Sequence, residues 1–285
     1  MRGAKRRHPV RRFIFRLCLL MLLAAAGVGA FFGVNGYRMY QDAVSRTSIE
    51  ERVEEIRAKE DFTDFSEMSD FYIEAVISVE DHRFMSHPGI DPIAVVRAAW
   101  ADIQAMAFVE GGSTITQQLA KNLLFTQEKR MVRKAAEVFA VFDMEKKYSK
   151  EEIFELYVNT ANFGSGYEGI HAASTGYFGK LPAEVTDYEA AMLAGVPNAP
   201  SVYSPDISQE LAARRVELVL QSMVRHHVIT REEAEEVRSG GSVSCIYGVG
   251  ASGRKQSETV VSGCFFGKKV TMNSKEKQIN QNMVS

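Results

Sequence analysis

The chain has 285 residues, 46% of them hydrophobic and 25% charged, which suffices for one sizeable domain with appendages and excludes general disorder. Its formal net charge of -2 hides an asymmetry: Arg2, Lys5, Arg6, Arg7, Arg11, Arg12 and Arg16 precede any acid. Cations gathered at one end give no basis for a nucleic-acid partner, and Cys18, Cys245 and Cys264 show no metal-ligand spacing.

In chain order, residues 1–16 read as a basic cytoplasmic segment, and 17–36 as a transmembrane anchor. Within the anchor, Leu17 to Val34 carry no charge, a length that lets an α-helix cross about 30 Å of hydrocarbon. The basic flank should stay in the cytoplasm and place the remainder outside. A cleaved signal peptide is the alternative, with Ala24-Ala25-Ala26 as the small residues a peptidase accepts. Residues 37–60 read as a charged linker or juxtamembrane helix.

From 61 to 237 the pattern is helical, which predicts an all-α domain. Phe71, Tyr72, Ala75, Val76 and Val79 recur at helical spacing, as do Met131, Val132, Ala135, Val138, Phe139 and Phe142; each stripe implies a face packed on a core. Capping boxes mark helix starts at Thr114/Gln117, Ser149/Glu152, Thr186/Glu189 and Thr230/Glu233. Breaks fall at Gly89, Gly111-Gly112, Gly164-Ser165-Gly166 and Pro197 to Pro205. Residues 238–285 lose the helical period and are expected to form a poorly ordered tail.

Three stretches carry chemistry. In EDHRFMSHPGID the stripe ends where Glu80 begins, so this carboxylate belongs at a helix C-terminus, where the macrodipole disfavours negative charge, the setting general acid/base work asks for. A solvated Glu-Asp pair is the plainer alternative. His82 and His87 lack a third obvious ligand and read as structural. In EGGSTITQQLAKN, Ile115, Leu119 and Leu123 should face the core while Thr114, Gln118 and Lys121 share another face. There Gly111, Gly112 and the first-turn N–H groups would admit a phosphate. In RKAAE, Arg133 and Lys134 stand four and three residues before Glu137, which alone predicts an exposed helical salt bridge.

Glu80-Asp81-x-x-Phe84-x-x-His87-x-Gly89-x-Asp91, then Gly111 to Leu119 with Lys121-Asn122, then Arg133-Lys134-x-x-Glu137 resemble, in order, the signature motifs of the peptidoglycan glycosyltransferases. KKYSKEEIFELYVN and GYEGIHAASTGYFGK agree with that likeness, which covers about 180 residues. His171 and Asn159-Thr160-Ala161-Asn162 depart from the usual pattern.

The resemblance implies a lysozyme-like glycosyltransferase domain that polymerises lipid II, with release of undecaprenyl pyrophosphate. It implies Glu80 as general base and Glu137 as the second acidic residue. Asp81, Phe84, His87, Gly112, Ser113, Thr114, Gln117, Gln118, Lys121, Asn122, Arg133 and Lys134 would be substrate-binding. A divalent metal ion, magnesium first, would assist, with Glu137 as a candidate ligand. The implied partners are lipid II, the lipid-linked glycan chain, the membrane, transpeptidases and other cell-wall synthesis proteins. The alternatives are a glycan hydrolase or lytic transglycosylase, an inactive scaffold, and the front of a truncated bifunctional penicillin-binding protein.

Overall fold

The structure is a computed structural model that describes residues 9–105, 111–125 and 131–241. Residues 1–8 of the basic N-terminal segment, Glu110, and the tail from 242 with Cys245 and Cys264 lie outside the described residues.

The described residues are helical, with one isolated bridge between Asn162 and Glu168 and no named strand. In order they form α1 (Pro9–Arg46), α2 (Ile49–Arg57), a 3-10 turn (Phe65–Glu67), α3 (Asp70–Glu80), α4 (Pro92–Ala105), α5 (Ile115–Leu124), α6 (Met131–Lys147) and α7 (Lys150–Thr160). There follow α8 (Ile170–Phe178), α9 (Asp187–Gly195), a 3-10 turn (Val196–Asn198), α10 (Pro200–Tyr203), α11 (Gln209–Arg225) and α12 (Arg231–Gly240). The four expected capping boxes are all formed, each pairing the cap hydroxyl with a backbone N–H and the third-residue side chain with the cap backbone.

α1 runs unbroken through the anchor and on to Arg46, and its span from Phe13 is long and apolar enough to cross a membrane, as a single-pass anchor requires. It then docks on the globular body. Gly36 lies so close to α6 that a Cβ there would meet the Ala135 Cβ at 2.6 Å, and the Tyr40 hydroxyl donates to Asp143 at 2.6 Å. The expected boundary at residue 61 therefore falls inside the fold: Ile49, Val53 and Ile56 of α2 are buried in the common core.

α6 corrects the sequence reading. Its stripe through Val132, Ala135 and Phe139 serves α1, with Tyr37 and Tyr40 packed on the Phe139 ring, while Met131 and Phe142 are exposed. The face turned to the core carries Ala136, Glu137, Ala140, Val141 and Met144 instead.

The centre is α9, whose residues from Glu189 to Gly195 are all buried, as expected for a short helix apolar on every side. α3 and α11 pack on it, and Ser222 of α11 donates to the Ser78 carbonyl at 2.7 Å, fixing the end of α3 that bears Glu80. Phe84, Phe154 and Phe163 fill the interior, each buried ring contributing roughly 1.5–3 kcal/mol.

Candidate active site

Glu80 is the last residue of α3, with its side chain 10% exposed. Its Oε2 accepts from Gln118 Nε2 at 2.8 Å, and its Oε1, buried and without a hydrogen bond, lies 3.8 Å from Arg215 Nη2. Tyr157 orients Gln118 by donating its hydroxyl to Oε1 of that amide at 3.4 Å. Burial first, and the nearby Glu80 second, push the Tyr157 phenol well above its ordinary value, so it remains a donor.

A second carboxylate network begins at the next residue. Asp81 meets His87 Nε2 at 2.9 Å and accepts from the Ile115 N–H at 3.1 Å. His87 Nδ1 accepts from the Gly89 N–H at 3.1 Å, so the ring proton sits on Nε2 and points at Asp81. Gly89 has φ +86, and a Cβ there would strike Val141 at 2.5 Å; its carbonyl in turn accepts from the Thr114 hydroxyl at 2.6 Å.

This geometry corrects several sequence expectations. The start of α5 is occupied by the protein's own anion, since Asp81 takes the Ile115 N–H and Thr114 Oγ1 takes the Gln117 N–H. A phosphate cannot use those donors. Thr114 and Gln117 are buried in the capping box, Phe84 is fully buried beneath Lys150, and Asp81 and His87 are committed to each other. All five are held within the protein's own network. Asn122, exposed on α5, donates to the Thr160 carbonyl at 3.4 Å and faces a separate groove of about 580 Å³ shared with Lys59 and Tyr167. Gly112 lies beside α4, where a Cβ would stand 3.2 Å from the Ala98 Cβ.

The cationic side of the cleft is built on α5 and α6. Glu137 is fully buried, with its oxygens 3.1 Å from Arg133 Nε and 2.8 Å from Lys134 Nζ, and Lys134 also donates to Ser113 Oγ at 2.9 Å. The expected exposed salt bridge is thus a buried anion clasped by two cations. Lys121 is half-buried between this cluster and Glu80. Burial, then the like charges of Lys134 and Arg133, lower its ammonium from the ordinary lysine value against the pull of Glu137 and Glu80.

The described residues offer no preformed cage for a divalent ion. Both Glu137 oxygens face protein cations, and no group of three His, Cys, Asp or Glu side chains among the described residues could hold a metal. His82 is engaged elsewhere, stacked on His226 with ring centroids 4.1 Å apart.

Arg215 is the site residue that motif reading missed. It stands three residues from Ala212 and four from Val219, on the buried stripe of α11, and a guanidinium on a core face calls for a buried acid. That register was the available signal.

The described body is helical, with the carboxylate of Glu80 at the end of α3 and the cations Lys121, Arg133 and Lys134 gathered on α5 and α6. Comparison with known proteins gives the class. The transglycosylase family model matches residues 47–224. Penicillin-binding protein 2D of Bacillus subtilis (strain 168) is 36% identical over 80% of this chain and 34% of its own. Penicillin-binding protein 1A of Aquifex aeolicus (strain VF5) is 43% identical over 61% of this chain and 24% of its own. Penicillin-binding protein 1F of Bacillus subtilis is 44% identical over 65% and 25%, respectively. The chain belongs to the transglycosylase family, the glycosyltransferase domain of class A penicillin-binding proteins. The match spans about a quarter to a third of the length of these relatives.

Proposed function

We propose that this chain polymerises lipid II into β-1,4-linked glycan at the outer face of the bacterial cytoplasmic membrane. The observation that carries the reading is the position of Lys121, half-buried between a sequestered carboxylate and a buried cation cluster. The seven cations ahead of the apolar run support a cytoplasmic N-terminus and an extracytoplasmic body.

In this scheme the growing strand on its lipid pyrophosphate is the donor, and the 4-hydroxyl of a lipid II GlcNAc is the acceptor. Glu80, held by Gln118, takes the hydroxyl proton as the oxygen attacks the anomeric carbon with inversion. The bond to pyrophosphate breaks, and the charge developing there is stabilised by Lys121 and Lys134. Arg133 and Glu137 keep Lys134 in place. Anchoring by α1 confines the cleft to the surface where the polyprenyl substrates lie. No step passes through a protein-bound metal, and magnesium would enter only with the substrate's diphosphate. Transpeptidases and other cell-wall synthesis proteins are proposed partners.

A glycan hydrolase would have little use for cations aimed at a leaving pyrophosphate. The test is incubation of the purified chain with labelled lipid II, beside Glu80→Gln. Wild type should form polymer, and the variant should lose on the order of 10²–10⁴ of the rate. Absence of polymer from wild type overturns the reading, and shortening of preformed glycan would establish the hydrolase.

A further inference from the structure

A second concave surface lies where α1 enters the globular body. Phe31 and Met39 of α1, with Leu124 and Phe125 at the end of α5, form the apolar side of a groove of about 600 Å³. Arg38, Arg46 and Arg52 stand around it, and Asp42 is its one acidic lining residue. The side chains of these three arginines have no ion-pair or hydrogen-bond partner among the described residues, and Arg52 Nε is buried without one. Arg133, paired with Glu137, also lines this groove.

The groove has a defined depth in the membrane. Phe31 belongs to the uncharged run ending at Val34, and Arg46 lies fifteen residues further on. At about 1.5 Å per residue the groove runs roughly 22 Å along α1, starting inside the uncharged run and passing Arg38 about 6 Å beyond Val34, at headgroup depth. An occupant must therefore be apolar below and anionic above.

We propose that this groove binds an anionic phospholipid, with an acyl chain along Phe31, Leu124 and Phe125 and the phosphate among Arg38, Arg46 and Arg52. Guanidiniums without acid partners, Arg52 partly buried and Arg38 and Arg46 open to the surface, favour a phosphate oxygen, and juxtamembrane cations attract anionic lipid. The pyrophosphate of a substrate already has Lys121 and Lys134 in the cleft. Bulk phospholipid far exceeds any substrate in the bilayer, so mass action fills a surface groove with it. The proposal needs α1 in a bilayer and nothing of the transfer chemistry, so a catalytically inactive chain still answers its test.

The full chain is reconstituted in nanodiscs of phosphatidylcholine containing a minor fraction of phosphatidylglycerol, then released into neutral detergent for native mass spectrometry of retained lipid. Wild type should retain phosphatidylglycerol preferentially. Replacing Arg38, Arg46 and Arg52 together by Gln should cut that preference at least about fivefold, the effect of about one juxtamembrane cation. Asp42→Asn, which removes the opposing charge without touching an arginine, should strengthen it, and this variant decides the matter if the triple variant melts early by circular dichroism. Equal retention of the two lipids by wild type, or no change in either variant, overturns the proposal. So does displacement of phosphatidylglycerol by a polyprenyl pyrophosphate with the same arginine dependence, which would assign the groove to substrate.

Discussion

The Arg215 guanidinium stands 3.8 Å from Glu80 Oε1, the carboxylate oxygen that Gln118 does not reach. Its Nε donates to the Gly195 carbonyl at 3.1 Å and its head lies over the Tyr203 ring, so it is held from two further sides. The proposed base is therefore gripped from α5 and α11 at once, and a small displacement of it misaligns proton transfer. Arg215→Met is expected to lower kcat about a hundredfold with KM nearly unchanged, and Arg215→Lys should restore part of the loss. Steady-state kinetics of lipid II polymerisation check this; a change in KM alone would mean that Arg215 binds substrate instead.

Asp81 makes the opposite prediction. Its carboxylate joins His87 to the first turn of α5, and both partners are inside the protein. Asp81→Ala leaves a buried imidazole N–H and a buried backbone N–H unsatisfied, at a cost of roughly 1–3 kcal/mol for each group. Denaturant unfolding should show a loss of several kcal/mol by that count. An unchanged midpoint, with only activity lost, would restore Asp81 to the substrate-binding residues.

The α5 register shows what was legible in the sequence. A capping box followed by Ile115, Leu119 and Leu123 encodes the helix and its buried face locally, through spacings within one segment. The identity of the anion at that helix start was not local, because the competitor for the phosphate, Asp81, is 34 residues away and arrives only when Gly89 turns the chain back. α6 misled for a related reason. Two partners claim opposite faces of it, α1 and the core, so the most apolar stripe was not the most buried one. Pairings such as Glu80 with Arg215 cross 135 residues and depend on α9 holding α3 and α11 together, which no single-segment pattern records.

Glu137 distinguishes a cation clasp from a metal ligand. Full burial beside Arg133, itself 12% exposed, means that Glu137→Gln removes the anion from a buried ion pair, and breaking such a pair costs about 3–5 kcal/mol. The thermal midpoint of the variant should fall, and EDTA should leave the midpoint of wild type where it was. A drop in the wild-type midpoint on chelation would mean that the carboxylate holds an ion after all.

Lys121 sets stability against activity. Burial and the like charges of Lys134 and Arg133 lower its ammonium relative to the unfolded chain, so at neutral pH the fold carries a charge it does not favour. Lys121→Met keeps the bulk and removes the charge. The variant should unfold at a higher temperature than wild type, while losing on the order of 10²–10³ of its turnover as the leaving pyrophosphate loses a cation. The pH dependence has a definite sign. Below the lowered folded value the lysine is protonated in both states and contributes no slope; as pH rises through that value, the folded chain releases its proton first, so the unfolded chain binds more and wild-type stability increases. The advantage of Lys121→Met should therefore shrink from neutral to alkaline pH in paired denaturant titrations. A gap that stays constant or widens would show that the methionine stabilises by packing, and that Lys121 is not held as a disfavoured charge facing the cleft.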